Sequence, residues 1–483
     1  MPYPLLPIAP AKWSLILALL SMPLVAQTPQ LPEAPFPLGK ADLPETRTIT
    51  PLSPGVTHLH VERGRKPTGR GWALESRSMT DKSEVATLRD RLREAGLRRV
   101  DEHWFKSPSD GEPYCVLLAG EFDTKLDARR ALLGLSFREV LQVRNRAGLD
   151  DWDGGPWMLD LVIVDPKHFH GKIVAAREER SIRPSEFARK RGALVAINAS
   201  LFHFSLDDLD GVPAGTAIMQ GEWYNEPNGG SILFIENTPE GPRLSISYDP
   251  PPVPVIEWAS GKTAPLNGIG RMPRGDEITV LRPEIFATSQ LSHFLPEGVL
   301  AAQVWEDGRL IPIVSASHWD PRSLVLLARG KGRTLLEQTI TSGERMKPVD
   351  LRVPGRPGLN AAYGIPVLIR DGQPNVVQVG RPYHRTSRTA MGADAGGRVY
   401  ILTVDGDAYD PPADGRLGSV GASYAELTAI FQHLGAINAI HLDSGGSTTM
   451  AINGEVANHP YNVQFEHGDG IERPVPDSIL VID

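Results

Sequence analysis

The stretch from Gly421 to Met450 constrains the fold of this chain more than any other. Ser423 is a helix N-cap residue type, Leu427, Ile430 and Leu434 recur on one helical face, and Gly435 supplies a stop. Ile437 to Leu442 then reads as a buried strand. It runs straight into Asp443, Ser444, Gly445, Gly446, Ser447, Thr448, Thr449 and Met450. A helix, an apolar strand, an acid, two glycines and a run of hydroxyls in that order say far more than a lone glycine-rich turn. Ala193 to Ile197 is a second apolar run, of the kind covered on both faces, and it ends at Asn198, Ala199, Ser200, Leu201 and Phe202. The helix Pro184 to Arg191 precedes it, with Pro at a permitted early position and Gly192 as its end.

A hairpin is expected between these two regions. His384 to Asp394 and Arg398 to Asp405 read as strands joined by a turn at Asp394 to Gly397. That reading sends Arg388 and Asp405 toward opposite ends of the hairpin. Leu300 to Leu351 reads as strand-rich scaffold.

Nearer the N-terminus, residues 72–145 repeat one plan twice. Trp72 to Ser76 alternates as a half-buried strand does. Asp81 caps a helix carrying Val85, Leu88, Leu92 and Ala95, Gly96 ends it, and Leu97 to His103 returns as a strand. Tyr114 to Ala119, a cap at Asp123, a helix Ala128 to Leu135 and a strand Glu139 to Val143 repeat the sequence. Pro54 to Val61 and Pro156 to Asp165 read as two strands of a larger domain flanking this module.

Length and composition set outer limits. A chain of 483 residues predicts two or three domains. The net charge is −8 with both signs interspersed, which argues against a nucleic-acid binder. The one cysteine, Cys115, permits no intrachain disulfide and reads as a buried strand residue. Lys12, the apolar run Trp13 to Leu20, Pro23 and Ala26 have the layout of a secretory signal peptide over residues 1–26. It is too short for a stable membrane span. A secreted or periplasmic cell-envelope protein is expected. Residues 27–53 read as a proline-rich linker.

With these motifs in hand, the chain resembles the phosphodiester glycosidase family, the family of the mannose-6-phosphate uncovering enzyme. The resemblance rests on Asn198 with Phe202, on Arg388 to Asp394 with the strand ending Val404, Asp405 and Gly406, on Asp443 to Met450, and on Glu472 to Val475. It spans about residues 54–60 and 156–483. Ala199, Ser200, Ser387 and Ser444 depart from it. Tyr114 to Thr124 resembles the signature of the sporulation-related repeat (SPOR) domain, whereas Arg77 to Met79 departs from that pattern. The implied fold is α+β: a strand-rich glycosidase domain over residues 54–71 and 146–483, with an inserted βαββαβ ferredoxin-like, SPOR-like domain at 72–145.

The implied activity is hydrolysis of a sugar-1-phosphodiester in a cell-wall or extracellular glycopolymer, with peptidoglycan as a further partner through the module. A glycan-binding protein without catalysis is the alternative, and a phosphodiesterase cutting the P–O bond is a third possibility. Arginine suits phosphate, through two parallel bonds from its planar fork. A carboxylate suits the oxocarbenium-like transition state, as nucleophile or as base for water. Asp443, Asp405 and Arg388 are accordingly the catalytic candidates. Asn198, Thr389, Gly445, Gly446, Ser447, Thr448 and Arg473 are the substrate-binding ones. His384 and His441 read as packing or surface histidines. No metal-ligand spacing is visible and no cofactor is implied.

Overall fold

The computed structural model describes residues 31–65, 71–146, 153–203, 212–226, 230–282, 297–314, 320, 322–375, 383–406, 418–461 and 470–483. The signal-peptide reading lies outside them. Among the described residues no helix is long and apolar enough to cross a membrane.

The elements that build the site are β1 (Glu45–Ser53), β2 (Val56–Arg63), β7 (Trp157–Val164), β8 (Lys172–Ile182), α3 (Pro184–Arg191) and β9 (Val195–Asn198). The C-terminal part adds β10 (Val367–Arg370), β11 (Gln373–Pro374), β12 (Arg388–Asp394), β13 (Val399–Val404), α5 (Tyr424–His433), β14 (Ala436–His441), β15 (Met450–Ile452), β16 (Glu455–Val456) and β17 (Val475–Ile482). An eight-stranded sheet runs β1-β2-β7-β13-β12-β14-β10-β11, and a five-stranded sheet runs β16-β15-β9-β17-β8. Two further five-stranded sheets lie within residues 217–364.

Strand alternation sorts the large sheet into two faces. Leu59, Leu159, Leu161, Ala390, Leu402 and Val404 pack with Leu427, Ile430 and Phe431 of α5. Val162, Met391, Ile401 and Ile440 pack instead with Ile197, Met450 and Ile479 of the five-stranded sheet. α5 starts with a capping box, in which Ser423 and Glu426 each satisfy the other's backbone N–H. α3 ends at Gly192, whose φ of 60° suits a residue without Cβ.

Residues 31–53 are not a linker. Phe36, Leu38 and Leu43 are buried, and β1 pairs with β2 along its length. Proline removes backbone donors but leaves acceptors, and arginines use them. Arg47 donates to the carbonyls of Pro32 and Ala34, and buried Arg63 donates to those of Leu38, Lys40 and Leu43.

β2 and β7 are adjacent antiparallel strands, with Arg63 opposite Trp157. Between them in the chain lie β3 (Trp72–Ser76), α1 (Lys82–Glu94), β4 (Val100–Lys106), β5 (Pro113–Phe122), α2 (Lys125–Leu133) and β6 (Leu141–Asn145). These four strands form an antiparallel sheet in the order β4-β5-β3-β6. One face packs Leu74, Cys115, Leu117 and Ala119 against Val85, Leu88, Leu92 and Ala128 of the helices. Burial there pushes the Cys115 thiol up to about 12. The second helix is capped by Thr124 rather than Asp123.

The other face of this small sheet is also covered. Tyr114, Val116 and Leu118 pack on Tyr383 and Ala425, with the Tyr114 and Tyr383 rings stacked at 4.0 Å. Arg144, paired with Glu75 at 2.8 Å, donates to the Arg385 carbonyl. The scaffold expected at 300–351 contains a helix, α4 (Gly330–Ser342), ended by Gly343. Gly330 and Gly332 in its first turn weaken the helical signal there.

Candidate active site

β14 delivers the chain to the turn that begins at Asp443. The Asp443 N–H donates to the Ala199 carbonyl, and the Asp443 carbonyl accepts from Asn198 Nδ2 at 2.7 Å. The end of β9 thereby fixes the turn. Asn198 Oδ1 accepts from Thr389 Oγ1 at 2.7 Å and from the Thr449 N–H at 3.1 Å. Asn198 and Thr389 are fully buried, and these bonds join the two sheets. Both were expected to bind substrate; their polar atoms instead hold the framework behind the turn.

Gly445 to Ser447 form one short 3-10 turn. Gly445 exchanges bonds with Ser387, its N–H donating to the Ser387 carbonyl and its own carbonyl accepting from Ser387 Oγ. The Arg473 guanidinium lies where a Cβ on Gly446 would sit, and Nη1 donates to Ser447 Oγ at 3.3 Å. Among the described residues, Asp443 Oδ2, Thr448 Oγ1 and Thr449 Oγ1 are buried without a hydrogen-bond partner. Burial pushes the Asp443 carboxyl up to about 6. Hydrogen bonding from Ser447 and the Ser444 backbone, and the charge of Arg473, pull the other way. Burial likewise lowers the Arg473 pKa, opposed by Asp443.

Asp443, Gly446, Ser447 and Arg473 therefore come together. Arg388 does not join them. It shares a sheet face with Ala390, toward α5, while the next residue, Thr389, faces the five-stranded sheet. Arg388 is 3% exposed. It donates to the carbonyls of Ala422 and His384, and its guanidinium stacks on Tyr424 at 4.0 Å. His441 is buried beside it. His441 Nδ1 must donate to the Ile365 carbonyl, at 2.7 Å, so Nε2 faces Arg388 Nη1 at 3.4 Å as an acceptor. Burial and then the Arg388 charge hold this imidazole well below its usual pKa, hence neutral.

Asp405 is also spoken for. Arg388 pairs with Val404 in the β12–β13 register, so Arg388 and Asp405 lie at the same, open end of the hairpin rather than at opposite ends. Antiparallel pairing sets the start of one strand beside the end of the other. The Asp405 carboxylate accepts from Asn458 Nδ2 at 2.8 Å and the His459 N–H at 2.9 Å. Asn458 in turn receives the Met450 N–H and donates to the Thr448 carbonyl. Asp405 thus braces the far side of the turn.

Asp477 and the His58, His60 and Asp160 group escaped the motif reading, and Glu472, part of the closing motif, was given no role in it. Asp477, 1% exposed, accepts from the Ser200 N–H at 3.0 Å, and burial raises its pKa. The Ser200 hydroxyl bonds Asp477 and accepts from the Tyr363 N–H. Ser200 and Ala199 are buried, so these departures from the glycine pattern fill the core. Glu472 accepts from the N–H and hydroxyl of Ser185 and caps α3. His58, His60 and Asp160 form a cluster on β2 and β7. A His-x-His pair on a strand was a legible sign that both rings share a face.

Among the described residues no group of His, Cys, Asp and Glu could hold a metal.

A solved structure from Burkholderia pseudomallei, described as exported, shares the fold at a TM-score of 0.69 and 19% identity, covering 95% of this chain and all of that one. The uncharacterized SPbeta prophage-derived protein YomE of Bacillus subtilis (strain 168) is 30% identical over 142 residues, 29% of this chain. That match spans only 20% of the relative's length. The zebrafish N-acetylglucosamine-1-phosphodiester alpha-N-acetylglucosaminidase catalytic domain aligns at a TM-score of 0.34 and 12% identity, over 68% of this chain and 78% of its own. Residues 306–482, which carry Asp405, Asp443, Ser447 and Arg473, match the phosphodiester glycosidase family model.

Proposed function

We propose that this chain hydrolyses a sugar-1-phosphodiester bond in a cell-wall or extracellular glycopolymer. The observation that carries the reading is the convergence of the Asp443 carboxyl and Ser447, on one turn, with the Arg473 guanidinium from a distant segment, where burial pushes the Asp443 carboxyl up to about 6. A carboxyl tuned to that range is ionised at neutral pH and can still take a proton. Arg473 supplies a planar cation for a phosphate oxygen, and Ser447 and Thr448 supply hydroxyls. Asp443 then acts as base for water or as nucleophile at the anomeric carbon.

Hydrolysis of an aryl or UDP-linked sugar-1-phosphodiester tests this, comparing the wild type with Asp443→Asn. The wild type turns over and the variant does not. In heavy-oxygen water the label enters the sugar; label in the phosphate makes the protein a P–O phosphodiesterase instead.

Export to the cell envelope is the accompanying proposal, supported by the N-terminal pattern and by the exported relative in fold. Residues 72–145 are proposed as an inserted, ferredoxin-like SPOR-type module that contacts peptidoglycan. Its helices cover one sheet face and Tyr383 with Ala425 the other, which leaves its edges for a glycan. Trp104 on the edge strand β4 is 39% exposed. Peptidoglycan pull-down with the wild type and Trp104→Ala tests that contact. Equal capture of the two removes Trp104 from it.

A further inference from the structure

Two aspartates hold opposite sides of one peptide bond just past the end of β9. The Ala199 carbonyl accepts from the Asp443 N–H at 3.0 Å, and the N–H of the same peptide, that of Ser200, donates to Asp477 Oδ1 at 3.0 Å. The path from the Asp443 nitrogen through this peptide to Asp477 Oδ1 is about 9 Å long, which bounds the distance between them.

The residues on either side strengthen the link. Asn198 Nδ2 donates to the Asp443 carbonyl at 2.7 Å, and the Ser200 hydroxyl gives Asp477 a second bond. In the β9–β17 register Ser478 stands opposite Asn198, which sets Asp477 beside the Ala199–Ser200 peptide. Asn198, Ala199 and Ser200 thus clamp the Asp443 backbone on one side and the Asp477 carboxylate on the other. These three residues and Asp477 are each at most 1% exposed, so the two acids act on each other through protein, where charges are weakly screened.

An asparagine could hold the Ser200 N–H as well as Asp477 does. A second acid here is costly, because Asp477 Oδ2, like Asp443 Oδ2, is buried without a hydrogen-bond partner among the described residues. The charge of Asp477 is what an asparagine would lack.

Few charged or titratable groups face Asp443. Arg473 approaches from the segment before β17, and Asp477 from β17 itself. Ser444 to Thr449 on its own turn do not titrate, nor do Asn198, Ala199 and Ser200, nor Ser387 and Thr389 beside β14. Asp405 stands behind the Thr448 carbonyl, beyond Asn458, and Arg388 and His441 lie toward α5. Arg177 on β8 is opposite Asp477 in the sheet register. Burial raises the Asp477 pKa, while the bonds from Ser200 and the charge of Arg177 favour its ionised form. Burial and the Asp477 charge raise the Asp443 pKa, against the bonds from Ser447 and Ser444 and the charge of Arg473.

We propose that Asp477 is the positioning residue of the hydrolytic base: it seats the Asp443 turn through the Ala199–Ser200 peptide, and its buried negative charge makes Asp443 the stronger acceptor of a proton from water. The proposal rests on the sugar-1-phosphodiester reading above. Asp477 forms and breaks no bond in the reaction; the proton passes from water to Asp443. Arg473 and Asp477 act on Asp443 in opposite senses. Once a substrate phosphate takes up the Arg473 charge, Asp477 acts unopposed, so the base is strongest with substrate in place.

The test uses the full chain. It follows kcat for the aryl sugar-1-phosphodiester against pH, and the Asp443 carboxyl by carbon-detected NMR titration, which requires no turnover. In the wild type the low-pH limb of kcat and the NMR midpoint lie at about pH 6. Asp477→Asn keeps an acceptor for the Ser200 N–H and removes the charge, and both the limb and the midpoint move down by about one pH unit. Ser200→Ala is the milder variant should Asp477→Asn fail to fold. It moves both the same way by less, because Asp477 then holds its own proton more readily. A folded variant that loses thermal stability while the limb and the midpoint stay in place makes Asp477 a structural residue and overturns the proposal, and the hydrolase reading stands. A wild type that cleaves no sugar-1-phosphodiester overturns that reading, and the positioning role goes with it.

Discussion

The Arg473 guanidinium occupies the space a Cβ on Gly446 would need and reaches Ser447 Oγ at 3.3 Å. Gly446 does not adopt a left-handed backbone, so a methyl group there strains nothing but the arginine's seat. Gly446→Ala is therefore expected to displace Arg473 and to raise KM about as much as Arg473→Ala does. Both variants should keep a wild-type melting temperature. Steady-state kinetics beside thermal unfolding checks this, and a folded Gly446→Ala protein with unchanged KM refutes it.

Asp443 trades stability for chemistry. Its folded pKa, about 6, lies above the ordinary 3.8. The unfolded chain thus gives up this proton first as pH rises. Stability falls across the window from roughly pH 4 to 6, and the deficit persists above it. Two units correspond to about 3 kcal/mol. Asp443→Asn should abolish hydrolysis yet raise the melting temperature at pH 8, with little change at pH 4. Wild-type activity should decline below pH 6 as the base protonates.

Asp405 is expected to behave as a brace. Asp405→Ala leaves the His459 N–H and the Asn458 amide without their acceptor, a cost of about 2–4 kcal/mol. Asp405→Asn keeps an acceptor oxygen and should cost less. Denaturant unfolding measures both. A stable but inactive Asp405→Ala protein would return this residue to the chemistry.

Arg388 makes a parallel case on the other sheet face. Arg388→Lys cannot reproduce the planar stack on Tyr424 together with the bonds to Ala422 and His384. We expect lower thermal stability, by about 1–3 kcal/mol, and near-normal KM in the folded protein. A selective rise in KM with unchanged stability contradicts this.

Much of this architecture was legible because it is local. The alternation of Trp72 to Ser76, the cap at Ser423 and the run into Asp443 all report on near neighbours, and the structure keeps them. Which face Arg388 occupies was not legible in the same way. Ala390 and Met391 differ in parity, but only the assembled layers say which parity meets the helix. Asp405 and Asn198 were harder. A polar residue at a strand end looks the same whether it meets a ligand or a distant amide, and the partners of these two, Asn458 and Asp443, lie 53 and 245 residues away. The burial of Phe36 and Leu38 was hidden because arginines, rather than strand partners, satisfy the proline-rich backbone around them.

The module at residues 72–145 leaves and re-enters the large sheet at one point, through the paired ends Arg63 and Trp157. Tension on a tethered module would therefore draw both strands the same way along their shared ladder, instead of peeling one from the other. A pull on residues 72–145 would fall first on the Tyr114–Tyr383 stack and the Arg144–Arg385 bond. Both border the segment that leads, through Ser387, to Gly445.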